Sequence, residues 1–370
     1  MSPPRVVLRV VVILLLAYLA KLYLFDRRDP SQEEGQMIHL AGETMGTTFN
    51  IKFPAYPEGL SPDELHADLE RELGKINRLM STYDPNSEIS RFNDSRETSW
   101  FPVSSETAEV VALALEVGRL TGGALDVTIA PLVNRWSFGP DKYRLEELPP
   151  AEELESLRER VDFTKLQVRR DPPALKKELP ELVVDLSAVA KGYAVDRLAD
   201  ILEGFQIESF MVEVGGEVRV GASKPEGGRW KIGLEIPDSQ SRDLQNVLEL
   251  EHRAMATSGD YRNFIVIGDR RFSHLIDPRT GYPTEYVPGN VSPHGDVRRL
   301  GSVAVLDEHC ARADALATGL FVLGLEEGLQ VADENDLCVL FIVRSGGEEE
   351  AVSREYPSKA FRQWQEGGRR

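Results

Sequence analysis

The stretch Val183-Val184-Asp185-Leu186-Ser187-Ala188-Val189-Ala190-Lys191-Gly192-Tyr193-Ala194-Val195-Asp196 sets how the rest of the chain is read. Residues 182–186 are a short apolar run with β-branched members, which predicts a buried strand. From Ser187 the spacing changes. Val189, Tyr193, Leu198, Ile201 and Leu202 share one helical face, and Ser187 is the candidate N-cap. Asp185 therefore stands where a strand becomes a helix, with Lys191 about one turn further on. Gly192 costs roughly 1 kcal/mol in a helix interior relative to Ala, so close packing is expected there. A plain strand–helix corner with a surface lysine accounts for the same residues.

Working towards the N-terminus, residues 124–129 (Ala124-Leu125-Asp126-Val127-Thr128-Ile129) read as a strand carrying one acid, entered through Gly122-Gly123. A helix is expected from about Ser105 to Leu120. Another begins at Ser61-Pro62-Asp63-Glu64, which combines an N-cap, a first-turn proline and a capping-box acid. Its apolar face is Leu65, Leu69, Leu73, Ile76 and Leu79, and it ends in the polar loop that holds Tyr83. Tyr83 can stack on a flat ligand there, or cover the edge of the core. Thr47, Phe49, Ile51 and Phe53 alternate as a half-buried strand, with Met45-Gly46 at its entrance. Residues 141–160 read as a charged, exposed insertion with a short helix.

Towards the C-terminus the pattern is strand-rich. Residues 210–214, 217–220 and 230–236 are strand-like. Gly215-Gly216, with no helix after it, fits a hairpin turn or bulge better than a phosphate loop. A strand pair turning at Gly268-Asp269 leads to His274, which reads as a strand residue just before a Pro/Gly turn. His274 fits either a structural role or an acid/base role. Residues 311–321 form a helix in which Asp314 and Thr318, four apart, share a face. That carboxylate–hydroxyl pair suits Mg²⁺, which takes few protein ligands; a Thr–Asp hydrogen bond fits the spacing too. Cys310 and Cys338, the only cysteines, read as free packed thiols rather than a metal motif. The charged residues 344–370 read as a loose tail.

The chain of 370 residues carries a formal charge of −18, which argues against a nucleic-acid surface. An acidic protein handling a phosphorylated ligand needs local cations or a metal. In residues 1–25, Arg5 and Arg9 flank an uncharged apolar run, with Lys21 beyond it. Counted with snorkelling ends, the stretch is about long enough to span a bilayer. No small-x-small cleavage site precedes Lys21 and no lipobox cysteine is present, so an uncleaved anchor with the N-terminus inside is expected. A cleaved signal peptide is the alternative, and either form exports the remainder. The expected domains are 1–25 anchor or signal peptide, 26–37 linker, 38–343 catalytic domain and 344–370 tail.

Together these pieces resemble the ApbE-type flavin transferases (FAD:protein FMN transferases). The carrying motifs occur in the family's order: Glu43-Thr-Met-Gly-Thr, Ser81-Thr-Tyr-Asp, Gly123-Ala-Leu-Asp, the Asp185–Asp196 stretch, Gly215-Gly216, Ser258-Gly259-Asp260-Tyr261, His274-Leu-Ile-Asp-Pro-Arg-Thr-Gly and Asp314-Ala-Leu-Ala-Thr. The match covers roughly residues 40–343. The resemblance implies an α+β fold of two related α/β halves with FAD in the cleft between them. It implies Mg²⁺-dependent transfer of FMN from FAD to a threonine hydroxyl of an acceptor protein, with loss of AMP. It puts Met45, Tyr83, Ala124, Leu125, Asp126, Asp185 and Lys191 around FAD. Mg²⁺ falls on the Ala188 carbonyl, Asp314 and Thr318, and His274 is the histidine of transfer. The implied acceptor is a membrane redox subunit, and the implied location is the periplasmic side of the inner membrane. Two other functions fit: an FAD pyrophosphatase using water, and a non-catalytic flavin carrier.

Overall fold

Strands β1 (Ile38–Thr44) and β2 (Thr47–Phe53) form a hairpin turned at Met45-Gly46. Both turn residues have positive φ, 51° and 72°, the sense that matches the right-handed twist of paired strands. The computed structural model describes residues 37–140, 145–235, 244–259, 263–268, 270–284, 299–345 and 352–368. The anchor and nearly all of the linker expected before β1 lie outside these residues.

After β2 come α1 (Pro62–Met80), α2 (Glu88–Asp94), β3 (Phe101–Pro102), α3 (Ser105–Leu120), α4 (Ala130–Arg135), α5 (Ala151–Arg158), β4 (Leu166–Arg170), β5 (Pro173–Lys177) and α6 (Ala190–Gly204). The second half contains β6 (Met211–Val214), β7 (Glu217–Val220), β8 (Trp230–Glu235), β9 (Leu244–Leu250), β10 (Arg253–Gly259), β11 (Phe264–Ile267), β12 (Arg270–Ser273) and β13 (Arg299–Asp307). It closes with α7 (Cys310–Glu334), β14 (Cys338–Ser345), β15 (Val352–Pro357) and α8 (Lys359–Gly368). Eight strands form one antiparallel sheet in the order β1-β2-β6-β7-β10-β13-β14-β15. The architecture is α+β, built on this single sheet.

In β13 and β14 the sheet is covered on both faces, which is why residues 303–306 and 338–343 are apolar and buried at every position. In β13, Val303 and Val305 face the helices, while Ala304 and Leu306 face the other way. Helix α6 lies over β6 and β7, and α7 over β10 and β13; α1 packs on α6 and α3 on α7. The opposite core is closed by the β8–β9 hairpin and by Phe361 of α8. A third, smaller core around Trp136, Phe272 and Ile276 carries the β11–β12 ribbon. Cys310 and Cys338 are buried and free.

Four expectations need correction. Residues 182–186 form no strand and pair with none among the described residues. Their backbone groups go to side chains and a loop: Asn93 bonds both the N–H and the C=O of Val184, and Asp185 N–H donates to the Val127 carbonyl. Residues 124–129 are turns, not a strand. Helix α6 begins at Ala190 because Asp185 Oδ1 already accepts from both the N–H and hydroxyl of Ser187, so Ser187 is no cap. The tail is ordered over β15 and α8. β15 pairs with β14, and buried Ser358 accepts from the N–H groups of Val339 and Phe361.

The packing expected at Gly192 is present. A Cβ there would lie 2.8 Å from Ala311 Cα and closer still to the Cys310 carbonyl. Asp196, one turn on, caps the start of α7, its two oxygens accepting from Cys310 N–H and Ala311 N–H at 2.9 Å each. Gly192→Ala is expected to force α6 and α7 apart and cost about 1–3 kcal/mol, the usual range for overpacking. Thermal or denaturant unfolding checks this; an unchanged midpoint would refute the close contact.

Candidate active site

The start of α6, the first turns of α7 and the turns between β1–β2 and β6–β7 converge on one cleft of about 1330 Å³. Every residue that the family resemblance puts at FAD, the metal or the transfer step lines it. Met45 comes from the β1–β2 turn and Tyr83 from the loop after α1. Ala124, Leu125 and Asp126 come from the turns after α3, and Asp185 and Ala188 from the segment before α6. Lys191 is on α6, His274 follows β12, and Asp314 and Thr318 are on α7.

Lys191 Nζ lies 3.0 Å from Glu217 Oε1 and 3.4 Å from both oxygens of Asp314. Glu217 opens β7. Val218 and Val220 turn into the opposite core, so Glu217 and Arg219 face α6. Asp314 is 3 % exposed, and its Oδ2 accepts from Gly192 N–H at 3.0 Å. Burial alone would pull the lysine down, but Asp314 and Glu217 outweigh it and hold the ammonium above the ordinary lysine range. Burial pushes both acids the other way, with Lys191 opposing it; Glu217 rises to about 7 and Asp314 rises too. Two carboxylates compete for one ammonium, and Glu217 Oε2 is buried with no hydrogen-bond partner among the described residues.

His274 follows the end of β12 rather than lying within it. Its Nδ1 is 3.1 Å from the Asn263 carbonyl. A carbonyl only accepts, so Nδ1 carries the proton and Nε2 keeps its lone pair. Burial lowers its pKa, the Asn263 bond opposes this, and the charge of Lys191 lowers it further. Tyr83 is 62 % exposed and donates its hydroxyl to the Phe138 carbonyl, so its ring is not core cover. Its pKa is raised by burial of the hydroxyl and by Asp185. Asp126 reaches the cleft, but its carboxylate is spent on Thr128 and on Phe163 N–H, and burial raises its pKa.

A model of the ApbE family matches residues 45–341. This chain belongs to the ApbE family. It is 41 % identical over 331 residues to the FAD:protein FMN transferase of Vibrio cholerae, covering 90 % of this chain and 93 % of that one. It is 35 % identical over 309 residues to the protein of the same name from Escherichia coli K12, covering 83 % and 84 %. Among solved structures, the flavin transferase ApbE from Vibrio cholerae aligns with a TM-score of 0.77 at 42 % identity, over 89 % of this chain and 99 % of that one. The apo flavinyl transferase ApbE of Pseudomonas stutzeri aligns with a TM-score of 0.76 at 34 % identity, over 89 % and 96 %.

The ApbE-family residues implied for Mg²⁺ fit a hard cation. No group of three or more His, Cys, Asp or Glu side chains gathers among the described residues, so a site built from such side chains alone is absent there. The lining instead offers the Asp314 carboxylate, the Ala188 carbonyl and the Thr318 hydroxyl, which hydrogen-bonds Ser258 Oγ at 3.1 Å. Such a sparse oxygen set, completed by water and phosphate, is the usual Mg²⁺ arrangement. The surplus carboxylate charge around Lys191 is what a cation would compensate. Glu217 escaped sequence reasoning; its signal was an acid at the head of a short alternating strand after Gly215-Gly216.

Proposed function

We propose that this chain is a Mg²⁺-dependent FAD:protein FMN transferase that esterifies a threonine hydroxyl of an acceptor protein. The observation that carries this reading is the shared cleft. A paired lysine, a carboxylate–hydroxyl–carbonyl oxygen set and a histidine with a free Nε2 line one cavity. Its volume exceeds that of ordinary small-ligand pockets, about 300–1,000 Å³, leaving room for a dinucleotide and an incoming side chain.

In the proposed reaction the threonine oxygen attacks the FMN-side phosphorus of FAD. A P–O bond of the diphosphate bridge breaks, and AMP leaves with the bridging oxygen. His274 Nε2 takes the hydroxyl proton, because a neutral alcohol is a weak nucleophile. Lys191, fixed by Glu217, sets a positive charge beside Asp314. Asp185 holds the turn that presents the Ala188 carbonyl. Mg²⁺ held by Asp314, Thr318 and the Ala188 carbonyl would neutralise charge on the diphosphate oxygens.

The Arg5/Arg9-flanked segment supports a further part of the proposal: an inner-membrane anchor with the catalytic domain on the periplasmic side, acting on a membrane redox subunit. Membrane fractionation with N-terminal sequencing tests it; a soluble protein starting near Lys21 would rule out the anchor.

The chemistry is tested by incubating the protein with FAD, Mg²⁺ and an acceptor peptide, followed by mass spectrometry. The expected product is an FMN adduct on threonine together with AMP. Free FMN and AMP without an adduct would make the protein an FAD pyrophosphatase. Unchanged FAD would make it a flavin carrier.

A further inference from the structure

Lys177, the last residue of β5, is fully buried, yet the transfer chemistry does not use it. Its Nζ donates to the Asn93 carbonyl at 3.0 Å and to the Leu182 carbonyl at 3.1 Å, and lies 5.1 Å from the centre of the Phe92 ring. No carboxylate among the described residues is within ion-pair distance of it. Three ammonium protons are thus matched to two carbonyls and a ring face. Burial lowers its pKa to about 8, with Arg96 adding to the fall and Glu181 and Asp94 opposing it. A buried ammonium without a counter-charge is costly, and an apolar side chain would fill the space without that cost.

Both acceptors of Lys177 point to one place. Leu182 opens the segment that has no strand partner among the described residues, and Asn93 grips it from the side. Asn93 Nδ2 donates to the Val184 carbonyl at 2.8 Å, and its Oδ1 accepts from Val184 N–H at 2.8 Å. The next residue is Asp185, whose N–H donates to the Val127 carbonyl and whose carboxylate turns the chain at Ser187. Ala188 follows on the cleft wall. In a ladder, neighbouring strands would hold such a segment; here two side chains and the Val127 carbonyl do.

We propose that Lys177 and Asn93 are positioning residues for the transfer site, clamping residues 182–186 so that Asp185 and the Ala188 carbonyl face the cleft. The proposal rests on the flavin-transfer reading. Neither residue touches the substrate; both act through the segment they hold. Misplacement of a site wall by about 1 Å is enough to cost on the order of 10²-fold in rate.

The test uses the full chain with Lys177→Met, which keeps the length of the side chain but loses both donated bonds. Asn93→Ala breaks the clamp from the other side should the first variant fail to fold. Three quantities are read: FAD affinity by flavin fluorescence, single-turnover transfer at saturating FAD, and amide hydrogen exchange over residues 183–188. Expected are at least tenfold weaker FAD binding, about 10²-fold slower transfer and faster exchange confined to that segment, in protein that still melts cooperatively. A lower melting temperature with normal FAD affinity and transfer in the folded protein would reduce the clamp to a stability device and overturn the proposal. Unchanged exchange over 183–188 would overturn it as well. Wild-type protein that binds no FAD would overturn the flavin reading itself, a result distinct from either.

Discussion

Asp314→Asn is expected to leave a folded protein whose FMN transfer, Mg²⁺-dependent on the proposed reading, is lowered by on the order of 10²–10³-fold, the range for removing one preorganised charged or polar group. Asn is the better probe than Ala because its carbonyl oxygen can still accept from Gly192 N–H, the contact that ties α7 to α6. The stability consequence has a definite sign. Burial raises the folded pKa of Asp314 above its unfolded value. A group shifted that way contributes stability below its unfolded pKa and loses it as pH rises through the folded pKa. At neutral pH the charge therefore costs stability, and removing it leaves Lys191 paired with Glu217 alone. Without divalent cation, the melting temperature of the variant should equal or exceed that of the wild type. With Mg²⁺ and FAD present, the wild type should gain stability by mass action and the variant much less. Thr318→Ala should be milder, since water can replace a neutral ligand. An Asp314→Asn protein with wild-type transfer and wild-type Mg²⁺ dependence would remove Asp314 from the site.

Which residues meet in the cleft was easier to read from the sequence than the local structure around them. The candidate site residues are marked by residue type and short motifs, and in this chain Asp185, Lys191, His274, Asp314 and Thr318 line a single cleft. The strand entered at Met45-Gly46, the amphipathic helix α1 and residues 311–321 of α7 were legible too, since two-residue and 3.6-residue periods are local signals. The misses share a physical cause. An apolar β-branched run shows that residues 182–186 are buried; it says nothing of where their backbone bonds go. They go to Asn93 and to a lysine on β5. Glu217 was hidden in the same way. Alternation identifies which strand residues point together, but the cation that justifies a buried acid is supplied by Lys191, distant in sequence. The C-terminal tail misled by composition. Its charges lie on exposed faces, and the apolar residues that anchor it, such as Phe361, are few.

His274→Ala is expected to bind FAD normally and to transfer FMN about 10²–10⁴-fold more slowly, the range for loss of a positioned general base. The argument rests on the tautomer. Nδ1 donates to the Asn263 carbonyl, and the backbone N–H of His274 bonds the same oxygen at 3.1 Å, so the ring is held with Nε2 unprotonated. Burial and the nearby Lys191 charge outweigh that bond and move the imidazole below its ordinary pKa near 6.5. Transfer should therefore persist through pH 6.5 and fall only at lower pH, where an unperturbed histidine would already be protonated. Stability changes in the same direction for a separate reason. The unfolded chain takes up a proton near pH 6.5 while the folded one resists, so folding weakens as pH falls through that value. The two effects are separable because the chemical step is read by single turnover in the folded protein, at saturating FAD and acceptor. A packing role predicts a different pattern. The ring meets Phe138 edge-on with centroids 6.2 Å apart, and removing a mere filler would lower the melting temperature and loosen FAD while sparing the step itself. A near-normal single-turnover rate in His274→Ala would exclude the base assignment and leave Asp185 as the cleft group to test next.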